Sequence, residues 1–307
     1  HRYIANLIRQ GVCNFLVQEK PDEILRAQAN FILVTDTRIA LQKIAAHHRK
    51  QFEIPVLAIT GSNGKTIVKE WLYESLKDDF QVVRSPKSFN SQIGVPLSVW
   101  QISPSDQLAI IEAGISAPSE MVSLQEIIQP TLGIFTNIGH AHTENFPSVQ
   151  VHVQEKMKLF SQVKTLVCCA DHSLIVEEAR NQKINSLTWG KNPAADLRIV
   201  DEQIKGTGKQ IQLVWQNIEF TLSLPFVDAA SVENALHTAL MLLHLGLSIE
   251  KIKANISHLH PVEMRLEFRK GIHQCTLIND TWSADTDSLR IALEAMEQQQ
   301  QHQKRTL

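Results

Sequence analysis

Short apolar runs separated by helical patterns dominate the chain between residues 55 and 181. The runs are PVLAIT, QVVRS, LAIIEAG, LGIFTNI and TLVCCA. Helical patterns between or after them cover residues 65–77, 118–129, 148–161 and 173–181. Apolar strands that alternate with helices are typical of a parallel sheet whose two faces are both covered by helices.

The pattern changes on both sides of this segment. Residues 196–224 alternate apolar and polar positions as antiparallel strands do, with Gly206 and Gly208 supplying a turn, and two helices follow at 229–245 and 248–258. Residues 1–50 read as a small unit of alternating helices and strands that lacks its beginning. Asp36 is a plausible N-cap there. A further unit begins near Pro261, with two short strands and a helix at 285–301.

These patterns predict an α/β fold with a central parallel sheet of the P-loop type. We expect domains at 1–53, an incomplete N-terminal α/β unit; at 54–260, the central domain; and at 261–307, the start of a third domain.

Composition narrows the class of protein. The 307 residues carry 30 Lys and Arg against 32 Asp and Glu, a net charge of −2, which disfavours a basic nucleic-acid-binding surface. The longest apolar stretch, 238–247, is half of the ~20 residues that a membrane span needs. Cys13, Cys168, Cys169 and Cys275 show no CxxC spacing, and no secretory segment is visible, so we expect reduced thiols and a cytoplasmic protein.

The strongest chemical signal is the segment AITGSNGKT, residues 58–66. An apolar strand runs into a glycine turn and then a helix, so backbone N–H groups of the turn and of the helix start can bind phosphates. Lys65 would neutralise the β and γ oxygens, and the Thr66 hydroxyl would bind Mg²⁺. The spacing GxxGKT is shorter than the general GxxxxGK[ST] pattern, and a glycine turn followed by an exposed lysine is the alternative.

Other candidate residues lie at the ends of strands or on helices. Glu112 lies near the end of the apolar run LAIIEAG. A carboxylate there can bind Mg²⁺ opposite the phosphate loop, or it can simply be solvated. His140 and His142 have an HxH spacing that suggests zinc, although a single His near Mg²⁺ or phosphate fits better, and a hydrogen-bonding loop His is the plain alternative.

Three further residues are ambiguous when taken alone. Lys156 lies on an apolar helix face, and from its pattern we interpret it as a lysine whose charged end reaches solvent. Asn234 and Asp280 can hydrogen-bond a base and a ribose, but a buried helix Asn and a strand-end Asp are ordinary features.

Taken together and in this order, ITGSNGKT, SFNSQIGVP, EAG, TNIGHAHTENF and EKMKLF resemble the Mur ligases. The resemblance runs from about residue 30 to the end, and SFNSQIGVP favours the branch that joins D-alanyl-D-alanine to UDP-N-acetylmuramoyl-tripeptide. It implies an ATP- and Mg²⁺-dependent ligase of peptidoglycan synthesis that forms an acyl phosphate, which the amine of D-alanyl-D-alanine then attacks.

The resemblance also implies roles for individual residues. The ATP phosphate loop would be Gly61, Ser62, Asn63, Gly64, Lys65 and Thr66. Thr66 and Glu112 would bind the first Mg²⁺, His142 the second, and Lys156 would be a carbamylated metal ligand. Asn90, Ser91 and Gln92 would contact the UDP-muramoyl peptide, and Asn234 and Asp280 the adenine and the ribose.

The chain departs from the family pattern near the nucleotide. The usual His-Asn pair before the adenine asparagine is Ala230-Ser231, and DxYNANP reads DTWSADT at 280–286. The family implies that 1–53 belongs to a UDP-substrate domain and 261–307 to a truncated Rossmann-like domain, so the chain is expected to be a fragment that is inactive in isolation. Some family members are fused to an alanine racemase, and a fragment of such a fusion would look like this chain. The alternatives are another Mur or folylpolyglutamate-type ligase, a nucleotide-binding module without turnover, and a P-loop kinase.

Overall fold

Helices and strands alternate along the chain in the computed structural model, which describes residues 2–139, 145–206, 208–263, 265, 267–272, 275–281 and 286–298. The helices are α1 Ile4–Arg9, α2 Glu23–Arg26, α3 Thr37–Arg49, α4 Lys65–Leu76, α5 Gly94–Val99, α6 Glu120–Ile128, α7 Val149–Met157, α8 Ser173–Asn181, α9 Ala229–His244, α10 Ile249–Ser257 and α11 Thr286–Gln298. The strands are β1 Asn14–Val17, β2 Asn30–Leu33, β3 Val56–Thr60, β4 Val82–Arg84, β5 Leu108–Glu112, β6 Leu132–Phe135, β7 Thr165–Cys169, β8 Ser186–Gly190, β9 Leu197–Lys205, β10 Gly208–Trp215, β11 Ile218–Leu224, β12 Glu267–Lys270 and β13 Thr276–Asn279.

The large sheet has nine strands among the described residues, in the order β11-β10-β9-β8-β7-β6-β3-β5-β4. Neighbours from β4 to β9 pair in parallel, whereas β9, β10 and β11 pair antiparallel. The predicted α/β fold is therefore confirmed, including the antiparallel extension.

Two hydrophobic cores cover the two faces of this sheet, as the apolar runs predict. Leu57 and Ile59 of β3 face a core that α4, α9 and α10 complete. Val56 and Ala58 face the other core, which α3, α5, α6, α7 and α8 complete. Successive strand residues point to opposite faces, so a strand buried on both faces is apolar at every position.

The apolar stretch 238–247 lies mainly in α9, where Leu240 and Leu242 are fully buried in the protein core. Within the described ranges, no helix is long and apolar enough to cross a bilayer. All four cysteines are free thiols, and burial raises the pKa of Cys168 and of Cys169 to about 12.

Smaller sheets flank the large one in the sequence. β1 and β2 pair in parallel, and β12 pairs antiparallel with β13. Asp36 caps α3 as predicted, because its carboxylate accepts from the backbone N–H of Arg38 and of Ile39. The short helix α5 was not predicted; Pro96 lies in its first turn, where a missing N–H costs no helical hydrogen bond. The domain boundaries stay a prediction.

Candidate active site

The loop of residues 61–64 connects the buried strand β3 to α4, at the carboxyl edge of the parallel strands. Gly64 caps α4 without a side chain, so the N–H groups of the first turn point into the loop. A glycine turn that leads into a helix N-terminus binds anions through its N–H groups and the helix dipole. The local geometry is that of a phosphate loop.

Residues after β6 hold this loop from one side. The backbone N–H of Ser62 donates to the Asn137 carbonyl at 2.9 Å, and that of Asn63 donates to Asn137 Oδ1 at 3.0 Å. Thr136 Oγ1 donates to the Asn63 carbonyl at 2.6 Å. The segment TNIG, which opens the family-like motif TNIGHAHTENF, therefore supports the phosphate loop.

Glycine is needed at positions 61 and 64 for two reasons: the backbone has a positive φ angle, and neighbouring atoms occupy the space that a Cβ would fill. Gly61 has a φ of +147° and Gly64 a φ of +82°. A Cβ at 61 would lie 2.0 Å from Thr136 Oγ1, and a Cβ at 64 would lie 2.1 Å from Asn234 Oδ1. A side chain at 61 would have to displace Thr136 and press on the Asn137 backbone, and a side chain at 64 would have to displace the Asn234 side chain.

Two lysines converge on the carbonyl of Gly61. Lys65 folds back over the loop, and its Nζ donates to the carbonyls of Gly61 and Ser62 at 2.9 Å each. Lys156 Nζ donates to the Gly61 carbonyl at 3.2 Å. The side chain of Lys156 is buried, so the interpretation that its charged end reaches solvent is wrong: α7 directs the amine into the site instead.

Burial lowers the pKa of Lys156 well below the ordinary lysine value, and the neighbouring charge of Lys65 lowers it further. An ammonium loses hydration when it is buried, and a second cation nearby repels it, so both effects favour the neutral amine. A larger share of neutral amine makes this nitrogen more nucleophilic than that of a surface lysine.

Glu112 and Thr66 meet beside the loop. Ile59 of β3 pairs with Glu112 of β5, which brings the carboxylate to the start of α4. Thr66 Oγ1 donates to Glu112 Oε2 at 2.9 Å, and Asn90 Nδ2 donates to Glu112 Oε1 at 2.7 Å. The carboxylate is fully buried, and both of its oxygens are oriented by these hydrogen bonds.

This pair fits a magnesium ion in its chemistry. A carboxylate and a hydroxyl are hard oxygen donors, and Mg²⁺ in proteins is commonly bound by one or two carboxylates together with substrate phosphates. Within the described part of the chain, no group of three or more His, Cys, Asp and Glu side chains could hold a metal by itself. An ion here would therefore depend on oxygens that a phosphate ligand brings.

Behind the loop, a buried hydrogen-bond chain reaches Thr136 from the large sheet. Trp189 Nε1 donates to His237 Nδ1 at 3.0 Å, which leaves Nε2 of the neutral ring to donate to the Thr136 carbonyl at 2.8 Å. Thr136 in turn donates to the Asn63 carbonyl, so this series of hydrogen bonds holds the backbone of the phosphate loop in place.

The structure places the predicted base-binding residue against the loop. Asn234, on α9, is buried, and its Oδ1 has no hydrogen-bond partner among the described residues. A cavity of about 280 Å³ is lined by residues that include Asn63, Asn137, Ala230 and Glu233, the residue that directly precedes Asn234. Asp280 directly follows β13 and is half-buried.

The three residues expected to contact the UDP-muramoyl peptide, Asn90, Ser91 and Gln92, follow one another before α5. Ser91 Oγ accepts from the backbone N–H of Gly94 at the start of α5. Gln92 Oε1 accepts from Gln42 Nε2 on α3 at 2.9 Å, which ties the segment to the N-terminal unit. Asn90 contacts Glu112, as described above, so it lies beside the candidate metal ligands. His142 lies outside the described residues.

Three residues at the site were not predicted from the sequence. Ser88 Oγ lies 3.1 Å from Thr66 Oγ1, and Arg265 Nη2 lies 3.3 Å from Ser88 Oγ. Lys69 is fully buried and forms an ion pair with Glu112, with 3.7 Å between Nζ and Oε2. Only Lys69 had a sequence signal: it follows Thr66 by three residues and precedes Leu72 by three, which is the core-facing side of α4.

Comparison with known proteins places this geometry in a family. A model of the Mur ligase middle domain matches residues 59–242, more than half of the chain, including the phosphate loop and Glu112. The chain belongs to the Mur ligase family.

Individual Mur ligases match nearly the whole chain. The UDP-N-acetylmuramoyl-tripeptide–D-alanyl-D-alanine ligase of Buchnera aphidicola is 28% identical in an alignment 305 residues long, which covers 97% of this chain and 65% of that protein. The enzyme of the same name from Bacillus subtilis is 28% identical over 279 residues, 90% of this chain and 60% of that protein. The chain therefore spans less than two thirds of the length of these relatives.

A solved Mur ligase structure gives the same result for the fold. MurF from Acinetobacter baumannii superposes with a TM-score of 0.88 at 25% identity, over 97% of this chain and 66% of that one. The predicted family resemblance is confirmed.

Proposed function

We propose that this chain carries the ATP-dependent activity of a ligase that joins D-alanyl-D-alanine to UDP-N-acetylmuramoyl-tripeptide in peptidoglycan synthesis. The observation that carries the proposal is the meeting of Thr66 and Glu112 at the phosphate loop, 2.9 Å apart between Oγ1 and Oε2. The named activity of the two relatives, which match 97% and 90% of the chain, supports the choice of substrates.

The reaction has two steps in this proposal. A carboxylate oxygen of the tripeptide attacks the γ-phosphorus of ATP, and ADP leaves with the bond electrons. The amine of D-alanyl-D-alanine then attacks the acyl carbon, the carbon–oxygen bond to phosphate breaks, and the amine loses a proton. Release of phosphate makes amide formation favourable.

The chain's own residues have distinct tasks in the first step. The N–H groups of the loop and of α4 would bind the phosphates, and Lys65 would turn from its carbonyl contacts to the β and γ oxygens. Thr66 and Glu112 would hold Mg²⁺, which neutralises charge on the transferred phosphoryl group. The base would enter the cavity beside Asn63, and Asn234 Oδ1 would accept a hydrogen bond from it.

A larger cleft on the other side of the loop suits the peptide substrates. It measures about 930 Å³ and is bordered by Thr66, Lys87, Ser88 and Arg265. Asn63 of the loop borders the smaller cavity and Thr66, in the first turn of α4, borders the larger cleft, so the loop and the start of α4 lie between the two spaces. A nucleotide that lies across the loop would therefore present its terminal phosphate to the larger cleft.

We infer further that Lys156 is carbamylated. Its amine would add to CO₂, forming a carbon–nitrogen bond and releasing a proton, and the product is an anionic oxygen ligand. The burial of Lys156 and its contact with Gly61 support this role. In [¹³C]bicarbonate, we expect a carbamate resonance in the carbon NMR spectrum that is absent from Lys156→Arg; an identical spectrum for both proteins would contradict it.

Other parts of the sequence interpretation stay predictions. These are the three domains at 1–53, 54–260 and 261–307, the second Mg²⁺ at His142, the ribose contact of Asp280, the substrate contacts of Asn90, Ser91 and Gln92, and a fusion with alanine racemase in the full-length gene product.

The decisive experiment is phosphate release by the full-length gene product with ATP, Mg²⁺, UDP-N-acetylmuramoyl-tripeptide and D-alanyl-D-alanine. We expect release to require every component and to be lost in Lys65→Ala. Hydroxylamine should trap the acyl phosphate, which a kinase acting on a hydroxyl would not form.

The same assay separates the alternatives. Release with a single amino acid in place of the dipeptide would favour another Mur or folylpolyglutamate-type ligase. ATP binding by the full-length protein without any release would leave only a nucleotide-binding module.

A further inference from the structure

Lys69 is among the largest fully buried side chains of the molecule. It lies one turn after Lys65 on α4, and its neighbours Val68 and Leu72 belong to the hydrophobic core. Lysine is rarely buried completely, because the ammonium group loses its hydration unless charged and polar partners replace it. The complete burial of Lys69 therefore requires specific partners for its ammonium group.

Partners from three segments surround its ammonium group. Nζ donates to the backbone carbonyl of Lys87 and lies 3.1 Å from Glu70 Oε1 and 3.7 Å from Glu112 Oε2. The other carboxylate oxygen of Glu70 accepts from Arg84 Nε at 2.8 Å. One hydrogen bond to a carbonyl and two carboxylates within ion-pair distance therefore compensate the buried positive charge.

Two of these segments carry the candidate metal ligands, and the third orients one of them. Thr66 precedes Lys69 on the same helix face, Glu112 ends β5, and the carbonyl of Lys87 begins the turn that presents Ser88 and Asn90. Asn90 orients one oxygen of Glu112 at 2.7 Å, while Thr66 and Lys69 contact the other. Lys69 thus links the helix to the segment that orients the carboxylate.

We propose that Lys69 is a positioning residue, whose contacts with the Lys87 carbonyl and Glu112 hold the Thr66–Glu112 pair in the arrangement that receives a magnesium–nucleotide complex. This inference rests on the proposed function, since it assumes that the pair binds Mg²⁺ with ATP. It assigns Lys69 no contact with the nucleotide itself.

Two opposing effects of the ammonium group make the proposal testable. A positive charge beside Glu112 repels an incoming cation, so its removal alone would strengthen Mg²⁺ binding. Its removal also frees the turn at 87–90 and with it Asn90, which would weaken Mg²⁺ binding. Positioning should dominate, because Glu70 at 3.1 Å already offsets much of the ammonium charge, whereas the Lys87 carbonyl loses the hydrogen bond that Lys69 donates to it.

The test measures ATP affinity by calorimetry, with Mg²⁺ and with a chelator, in this chain and in Lys69→Met. We expect the gain in affinity that Mg²⁺ provides to fall at least tenfold in Lys69→Met, while metal-free affinity changes less than threefold. Lys251→Met is the matched control: it removes an exposed ion pair with Asp79 and should leave both affinities unchanged. A residue with only a structural role would lower both affinities alike.

A second measurement needs no ligand. Amide hydrogen exchange across 86–90 should be at least tenfold faster in Lys69→Met than in the wild type and unchanged in Lys251→Met. If Lys69→Met does not fold, Lys69→Gln replaces it in both measurements: its amide keeps one donor, and we expect a smaller loss in the same direction.

The outcomes separate this inference from the proposed function. An equal or larger Mg²⁺ gain in the variant would overturn the positioning role, and so would unchanged exchange at 86–90. If wild-type chain gains no affinity from Mg²⁺, the metal site itself fails, and with it the proposal for Lys69, whatever the exchange rates show.

Discussion

The two parts of the large sheet place their polar residues in opposite ways. In the parallel part, the central strands β3, β5, β6 and β7 are buried at every position. Polar groups gather at their carboxyl ends, where Thr60, Glu112 and Thr136 are all fully buried. In the antiparallel part, polar residues alternate along the strands and face solvent, as the burial pattern of β11 shows. Glu202 there accepts from both Lys191 and Lys209.

This difference determines what a substitution costs. A buried polar group that loses its partner keeps the full cost of its dehydration, whereas a group at the surface exchanges its partner for water. The carboxyl edge therefore concentrates groups that depend on one another, and a ligand can replace some of their contacts. The polar groups of the antiparallel part can exchange their partners for water. Matched substitutions in the two parts therefore test whether mutual dependence of buried polar groups decides the cost.

The largest contrast should come from two lysines. We expect Lys65→Ala to weaken ATP binding by about 100-fold, since loss of charge-assisted hydrogen bonds to phosphate costs about 3 kcal/mol. Lys209→Ala removes an ion pair with Glu202 and should change unfolding free energy by at most about 1 kcal/mol, with ATP affinity intact. Calorimetry and urea denaturation measure the two quantities. Equal ATP affinity in both variants would refute the phosphate loop.

A pair of glycines sharpens the comparison by keeping backbone strain constant. Gly64 and Gly206 both have left-handed φ angles, +82° and +62°. Either alanine substitution should cost about 1 kcal/mol of stability for that reason alone. At 64 the new Cβ would also meet Asn234 Oδ1, whereas nothing lies within 4 Å at 206.

We therefore expect Gly64→Ala to reduce ATP affinity at least tenfold and Gly206→Ala to leave it unchanged, in the same calorimetric assay. Similar affinities for the two variants would mean that Asn234 moves away without disturbing the loop.

The sequence predicts the features of this site that depend on local patterns, and it does not predict contacts between distant segments. Strand and helix patterns are local, so they predicted the sheet with its parallel and antiparallel parts. They left Glu112 open between a metal ligand and a solvated acid, and the shared site of Thr66 and Glu112 came from the family resemblance. The contact of Asn90 with Glu112 and that of Arg265 with Ser88 depend on how distant segments pack, and no local pattern encodes them. Lys156 was misinterpreted for this reason: its helix face is visible in the sequence, but the segment that covers it is not.

Two tryptophans test the support behind the phosphate loop. Trp189→Phe removes the donor to the buried His237, so we expect a loss of about 1–2 kcal/mol in unfolding free energy and a severalfold weaker ATP affinity. Trp215→Phe, in the antiparallel part, is the control and should leave ATP affinity unchanged. Urea denaturation and calorimetry measure both effects. If Trp189→Phe loses stability but keeps ATP affinity, the hydrogen-bond chain stabilises the core without positioning the loop.

The smallest effect should be a pH dependence in the antiparallel part. Partial burial raises the pKa of Glu202, but hydrogen bonds from Lys191 and Lys209 outweigh it, so the pKa lies below the ordinary 4.5. A lowered folded pKa means that the stabilisation is present above pH 4.5 and is lost as pH falls through the folded value. Glu202→Gln should therefore lower unfolding free energy by at most about 1 kcal/mol at pH 7 and by less as the pH falls below 4.5. Urea denaturation across this range measures it, and an equal loss at every pH would show that packing, not charge, is what Glu202 contributes.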